Sequence, residues 1–103
     1  MKKIKKLIDD NLLQHNRVLK KTFTSNFRDQ ITLASSIISE ALINQKTVFW
    51  CGNGGSASDS MHLSAELVGR FKKKRKSFKS ISLTSDPASL TCISNDFGYS
   101  NVF

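Results

Sequence analysis

The residues best suited to chemistry lie in one stretch, CGNGGSASDSMHLSAE, which runs from Cys51 to Glu66. It places three glycines in a loop and then His62 and Glu66 four positions apart. Side chains at that spacing project from the same face of a helix. An imidazole and a carboxylate so placed can be two ligands of one metal ion, or a carboxylate base steered by a histidine. An exposed ion pair without a function is the alternative, and two ligands alone do not complete a zinc site.

The glycine loop, residues 52–56, predicts an anion site because of the elements on either side of it. The apolar residues 47–51 predict a buried strand, and residues 56–70 predict a helix. A strand that enters a helix through a glycine loop leaves free amide groups and a helix N-terminus around one concave spot. The spacing matches neither nucleotide-binding fingerprint, and a tight turn without a ligand is the alternative. Ser56 followed by Asp59 predicts a capping box at the start of the helix.

A second strand and a second polar loop follow. Residues 80–84 predict the strand, and Pro87 suits the first turn of a short helix that Ser85 or Asp86 would cap. The order of elements predicts a parallel α/β sheet with right-handed crossovers. Residues 95–98, Asn-Asp-Phe-Gly, predict a turn, and ligands of such sheets gather at the carboxyl ends of the strands. The two loops could therefore converge, although a plain turn is the alternative.

The first part of the chain predicts one long helix. Residues 7–44 contain neither proline nor glycine, and apolar side chains recur at helical spacing, with one break expected between residues 22 and 26. The apolar stripe is wide and rich in aromatic residues, so it could pack against another copy of the chain as well as against its own core.

Composition and charge narrow the class of protein. The chain has 103 residues, of which 39% are hydrophobic and 23% are charged, and this is the composition of one small globular domain. No apolar run approaches the roughly 20 residues that span a bilayer, and acidic residues interrupt the place where a signal peptide would be apolar. We expect a cytoplasmic protein without a membrane partner.

The cysteines and the basic residues argue against two further classes of protein, those built on disulfide or cysteine–metal motifs and those that bind nucleic acids. Cys51 and Cys92 lack the spacing of a disulfide or metal motif, and Cys51 ends an apolar run where thiols are commonly buried. The formal charge of +8 and the run KKKRK at residues 72–76 raise the possibility of a nucleic-acid module. The run has no interleaved aromatic residues and no recognised binding motif, so a solvated loop is favoured and no nucleic-acid partner is expected.

Taken together, CGNGGSASDSMHLSAELVGRF and SISLTSDPASLTCISNDFGYSNVF resemble the phosphoheptose isomerases, a family of the sugar-isomerase (SIS) fold. The resemblance covers essentially the whole chain and is strongest over residues 50–103. It rests on four motifs together: the G-N-G-G-S loop, the H-x-x-x-E pair, the G-R-[FY] helix end and the N-D-[FY]-G turn. It implies an α/β fold in which a parallel sheet is flanked by helices behind a long amino-terminal helix, here truncated after about two strands.

The resemblance also implies roles for residues. Glu66 would be the base that isomerises sedoheptulose 7-phosphate to glycero-manno-heptose 7-phosphate through an enediol, and with His62 it would bind one zinc ion. Contacts to the sugar phosphate would come from Asn53, Gly54, Gly55, Ser56, Arg70, Asn95 and Asp96. The family implies a cytoplasmic homotetramer that supplies ADP-heptose for lipopolysaccharide. Residues 1–46 would then serve oligomerisation, and residues 47–103 would form the first part of the sugar-phosphate domain.

Part of the family pattern lies outside this sequence. The family has a second phosphate-binding loop of the S-T-S-G-x-S kind, and a later Gln and His that complete the metal site. We expect the chain alone to be inactive and to expose a sheet edge and helix faces. A gene fragment without an independent function is one alternative. Another is a related SIS branch that binds a replication initiator, but that branch has a different residue where this chain has Glu66.

Overall fold

The computed structural model describes residues 1–70 and 72–103, in two compact units, Met1–Ile37 and Ile38–Phe103. The expected division into residues 1–46 and 47–103 concerns function and stays a prediction. Within the described residues, no helix combines the length and the apolar character needed to cross a membrane.

The amino-terminal region is helical, as predicted. Helix α1 spans Lys2–Thr22 and helix α2 spans Ser25–Ile43, so the break falls where the sequence placed it. Thr24 makes the break, because its hydroxyl accepts a hydrogen bond from the Phe27 amide at 3.3 Å and its carbonyl accepts one from the Arg28 amide at 3.1 Å. These contacts satisfy amide groups that a new helix would otherwise leave free.

The second unit holds a small parallel sheet. Its elements are strand β1 (Val48–Trp50), helix α3 (Gly55–Val68), strand β2 (Ser80–Ser82), helix α4 (Pro87–Phe97) and a 3₁₀ turn (Tyr99–Asn101). The strands pair in parallel, with Val48 opposite Ser80 and Trp50 opposite Ser82. Helix α3 packs against both strands. The α/β class and the parallel pairing are therefore confirmed.

The strands are shorter and more exposed than the sequence predicted. The expectation that residues 47–51 form a strand buried on both faces is wrong: Phe49 is 58% exposed and Cys51 is also exposed. On β2, Ile81 is 49% exposed while its neighbours Ser80 and Ser82 are buried. Alternate side chains of a strand point to opposite faces. Among the described residues α3 covers one of those faces, so the other keeps its apolar side chains at the surface.

The interface between α3 and the sheet is lined by hydroxyl groups. Leu42 is the only apolar side chain that is buried within the described part of the chain. Ser60 on α3 lies 2.5 Å from Ser82 and 2.8 Å from Thr84, measured between hydroxyl oxygens, and Ser82 lies 2.8 Å from Thr84. Trp50 Nε1 donates to the Ser80 hydroxyl at 2.9 Å. Small side chains let the helix approach the sheet closely, and their mutual hydrogen bonds offset the cost of burying them.

Helix α4 begins as the sequence predicted. Asp86 is its N-cap: one carboxylate oxygen accepts hydrogen bonds from the amides of Ala88 and Ser89 at 3.0 and 3.2 Å, and the other accepts one from the Ser89 hydroxyl at 2.5 Å. The hydrogen bonds from Ser89, first that of its hydroxyl, lower the pKa of Asp86 from its ordinary value of 3.8. Pro87 occupies the first turn, where its missing amide hydrogen costs nothing.

Candidate functional site

The glycine loop, residues 52–56, follows β1 and runs into α3, whose first turn begins at Gly55. Two of its glycines are required by the backbone. A Cβ on Gly52 would lie 2.4 Å from the carbonyl oxygen of Ser56, and Gly54 has a φ of +56°, a conformation that other residues rarely adopt. A Cβ on Gly55 would meet no protein atom within 4 Å. Packing therefore does not explain the third glycine, whereas close approach of a ligand would.

Helix α3 starts one residue earlier than predicted, at Gly55, with Gly54 as the N-cap. The expected capping box of Ser56 and Asp59 is wrong, since no side chain caps this helix and Ser56 already lies in its first turn. The Ser56 amide donates to the Asn53 carbonyl at 3.0 Å instead. Among the described residues, the amides of Gly54 and Gly55 have no acceptor. The loop thus presents free donors at a helix N-terminus, as an anion site requires.

His62 and Glu66 lie one turn apart on α3, as predicted, and their side chains meet. His62 Nε2 is 3.5 Å from Glu66 Oε1, and the two side chains are 74% and 31% exposed. The carboxylate is therefore half-buried beside an imidazole that faces solvent. The pair stands on the same helix whose first turn contains the last residues of the glycine loop, Gly55 and Ser56.

The spacing of this pair fits two ligands of a zinc ion. Zinc bonds to histidine nitrogen and carboxylate oxygen are about 2.0–2.2 Å long, so neighbouring ligand atoms in a tetrahedron stand about 3.3–3.6 Å apart. The observed separation of 3.5 Å lies within that range. No cluster of three or more His, Cys, Asp or Glu side chains suited to a metal occurs in residues 1–70 and 72–103. A zinc ion here would need further ligands from outside this set.

Asn95 and Asp96 occupy the last turn of α4, so the predicted Asn-Asp-Phe-Gly turn is wrong. The helix continues to Phe97 and ends at Gly98, whose φ of +88° favours glycine. Asp96 is held within the helix, because one carboxylate oxygen accepts from the Asn95 amide group at 3.2 Å and the other from the Cys92 thiol at 3.4 Å. Polar residues at a helix end resemble a turn in sequence, which explains the error.

Tyr99 directly follows the predicted Asn-Asp-Phe-Gly segment and contacts the glycine loop. Its hydroxyl donates a hydrogen bond to Asn53 Oδ1 in the glycine loop. Asn95 and Tyr99 line the same shallow groove, together with Leu90, Thr91 and Ser94. Within the described residues, the side chains of Asn95 and Asp96 make no hydrogen bond to residues 52–56, so convergence of the two predicted loops stays a prediction. The sequence held no signal for the contact of Tyr99 with Asn53, because the two residues are 46 positions apart.

Arg70 stands apart from these groups. Helix α3 ends at Val68 with Gly69 as its C-cap, so Arg70 lies beyond the helix that it was expected to close. Its side chain is exposed and makes no hydrogen bond or ion pair with the other described residues. Phe71, the last residue of the expected G-R-[FY] helix end, lies outside the described residues.

A family model described as "SIS domain" matches residues 12–103. The chain belongs to the SIS-domain family. It is 49% identical over 96 residues to the phosphoheptose isomerase of a Nitratiruptor species, a match that covers 93% of this chain and 51% of that protein. It is 44% identical over 97 residues to a phosphoheptose isomerase of Helicobacter pylori, with coverages of 94% and 50%. This SIS-domain chain thus spans about half the length of the curated relatives that it matches.

Solved structures of SIS-domain relatives agree with the fold. The phosphoheptose isomerase of Neisseria gonorrhoeae superposes with a TM-score of 0.81 at 27% identity, covering 97% of this chain and 50% of that one. The enzyme of Francisella tularensis gives 0.67 at 26% identity, with coverages of 90% and 52%. The resemblance to phosphoheptose isomerases and the SIS-type fold, both predicted from the sequence, are confirmed.

Proposed function

We propose that the chain supplies the glycine loop and the catalytic carboxylate of a phosphoheptose isomerase, which converts sedoheptulose 7-phosphate to glycero-manno-heptose 7-phosphate. The observation that carries this is the placement of both features on α3: free amides stand at its start, and the half-buried Glu66 carboxylate stands three turns later. The relatives named phosphoheptose isomerase support the reaction class.

Glu66 would act as the base. Its carboxylate would remove a proton from the carbon next to the carbonyl, leaving an enediolate that becomes the enediol when the carbonyl oxygen takes up a proton. The carboxylate would then return its proton to the former carbonyl carbon, while the hydroxyl on the neighbouring carbon loses its own and becomes the aldehyde oxygen. His62 lies 3.5 Å from this carboxylate and would orient it. Together the two side chains would hold one zinc ion, which when bound polarises the substrate carbonyl.

The glycine loop would bind the sugar phosphate. The amides of Gly54 and Gly55 would donate to substrate oxygens, and Ser56 would add a hydroxyl. Asn53 has its side-chain carbonyl engaged by Tyr99, so its amide group stays free to donate to the sugar. Asn95 and Asp96 would contact the sugar from the end of α4, and Arg70 would do so from the segment after α3.

The biological setting follows from the family resemblance. The enzyme would be a cytoplasmic homotetramer whose product feeds ADP-heptose and lipopolysaccharide synthesis, without nucleic-acid or membrane partners. The exposed apolar residues of α1 and α2 are compatible with packing against further copies.

Binding is testable on the chain itself. In a titration followed by ¹H–¹⁵N NMR, sedoheptulose 7-phosphate should shift the amide signals of residues 53–56 and 95–96. Unphosphorylated sedoheptulose at the same concentration should shift them less, because the loop selects an anion. Shifts confined to the lysine-rich α1 would indicate general attraction to a basic protein and would count against the proposed site.

A further inference from the structure

Arg75 lies in the basic run that the sequence predicted to be a solvated loop, yet its side chain is anchored. Its Nη2 atom donates to the Glu66 carbonyl at 2.7 Å, and Nη1 donates to the carbonyls of Leu67 and Lys76, each at 2.9 Å. The guanidinium carbon also lies 4.4 Å from the centre of the Phe78 ring. These contacts fold the segment after α3 back onto the end of that helix.

Two of the carbonyls that Arg75 binds, those of Glu66 and Leu67, lie in the last turn of α3. The last four carbonyls of an α-helix lack intrahelical donors, and a cation near them also interacts favourably with the helix dipole. At the end of α3 the Ala65 carbonyl accepts from the Gly69 amide at 2.7 Å, and the Leu67 carbonyl accepts from the Phe78 amide at 3.1 Å as well as from Arg75. Arg75 supplies the donor for Glu66. The last turn is therefore closed at three consecutive carbonyls.

We propose that Arg75 is a positioning residue for Glu66. It binds the backbone of Glu66 and forms no ion pair with the carboxylate, whose ion-pair partner among the described residues is His62. Arg75 thus acts by fixing the last turn of α3, and so the point from which the carboxylate projects toward His62. The inference rests on the proposed role of Glu66, and it matters because a misplacement of about 1 Å in a catalytic group can cost roughly 10²-fold in rate.

The test uses the 103-residue chain in three variants, Arg75→Met, Arg75→Lys and the control Lys74→Met. Lys74 lies in the same run, is exposed, and its side chain makes no hydrogen bond or ion pair within the described residues, so its loss removes one charge without releasing a carbonyl. Hydrogen exchange of the Gly69 and Phe78 amides reports on closure of the last turn, with the Leu90 amide in α4 as an internal reference. A nuclear Overhauser effect between the His62 ring and the Glu66 side chain reports on the pair itself.

In Arg75→Met we expect hydrogen exchange of the Gly69 and Phe78 amides to become at least tenfold faster than in the wild type, while exchange of the Leu90 amide is unchanged. The His62–Glu66 Overhauser effect should be lost. Arg75→Lys should behave similarly, because one ammonium group lacks the planar fork that reaches several carbonyls. Lys74→Met should match the wild type. Should Arg75→Met fail to fold, the same comparison between Arg75→Lys and Lys74→Met decides the matter.

Two results would overturn the proposal. One is an unchanged Overhauser effect in a folded Arg75 variant. The other is faster exchange spread evenly over Leu90 and the α3 amides, which would mean that Arg75 supports only global stability. Failure of the proposed isomerase function would give a different result. Glu66→Gln would then retain turnover in an active, extended version of the chain, whereas the exchange rates and the Overhauser effect would still depend on Arg75.

Discussion

Replacing Ser60 by alanine should destabilise the fold, because it removes one member of the hydroxyl cluster formed by Ser60, Ser82 and Thr84. The size of the effect depends on the hydrogen bonds that are lost. Ser60 is 3% exposed, and its hydroxyl contacts those of Ser82 and Thr84 at 2.5 and 2.8 Å. A hydrogen bond contributes roughly 0.5–1.5 kcal/mol net, so losing two costs about 1–3 kcal/mol. Alanine is the better helix former by up to about 0.7 kcal/mol, which offsets part of this cost.

The control for that offset is Ser58→Ala, because Ser58 lies on the same helix but is exposed, and its hydroxyl makes no hydrogen bond to the other described residues. It should be neutral or slightly stabilising. Urea unfolding followed by circular dichroism measures both variants. The free energy of unfolding of Ser60→Ala should fall below that of Ser58→Ala by about 1–3 kcal/mol. Equal values for the two variants would refute the idea that the hydroxyl cluster holds α3 on the sheet.

Two further predictions concern the cap of α4 and the glycine loop. Hydrogen bonds from Ser89 hold the pKa of Asp86 in the folded protein below 3.8. The ionised carboxylate therefore contributes its full stabilisation at pH values above 3.8, and this contribution is lost as the pH falls through the lowered pKa of the folded state. Urea midpoints measured from pH 6 to 2 should therefore fall further in the wild type than in Asp86→Asn, and parallel curves would contradict this. In the glycine loop, Gly52→Ala should destabilise the fold, because the new Cβ would lie 2.4 Å from the Ser56 carbonyl oxygen. Gly55→Ala should keep the fold, because its Cβ meets no protein atom within 4 Å, but it should weaken binding of sedoheptulose 7-phosphate in the NMR titration. Equal stability of the two glycine variants, or full binding by Gly55→Ala, would count against this reading of the loop.

Local signals in the sequence predicted much of this fold. A polar break between two amphipathic segments placed the interruption near Thr24, and an aspartate before Pro87 predicted the start of α4. The spacing of His62 and Glu66 predicted their contact, because residues four positions apart lie on the same face of a helix. Each of these features depends on residues within a few positions of one another.

Three features were missed because they depend on distant partners, and one local feature, the end of α4, was also predicted wrongly. Burial of Phe49 was overestimated because an apolar run does not reveal which sheet face is covered. Asn95 was assigned to a turn, although hydrogen bonding continues the helix past it to Phe97. Arg75 was assigned to a solvated loop, since nothing in a run of basic residues marks the one that folds back onto a helix end. The contact between Tyr99 and Asn53 likewise has no counterpart in local sequence.

The most direct test of the proposed function is the turnover of sedoheptulose 7-phosphate by the chain extended with the remaining part of a phosphoheptose isomerase relative. Glu66→Gln is compared with Glu40→Gln, an exposed glutamate on α2 that serves as the matched control. NMR measures conversion to the aldose, and zinc content is determined for each protein. Loss of a general base costs typically about 10²- to 10⁴-fold, so Glu66→Gln should have little or no turnover while Glu40→Gln matches the unsubstituted protein. Turnover by Glu66→Gln close to that of the control would contradict the assignment of Glu66 as the base.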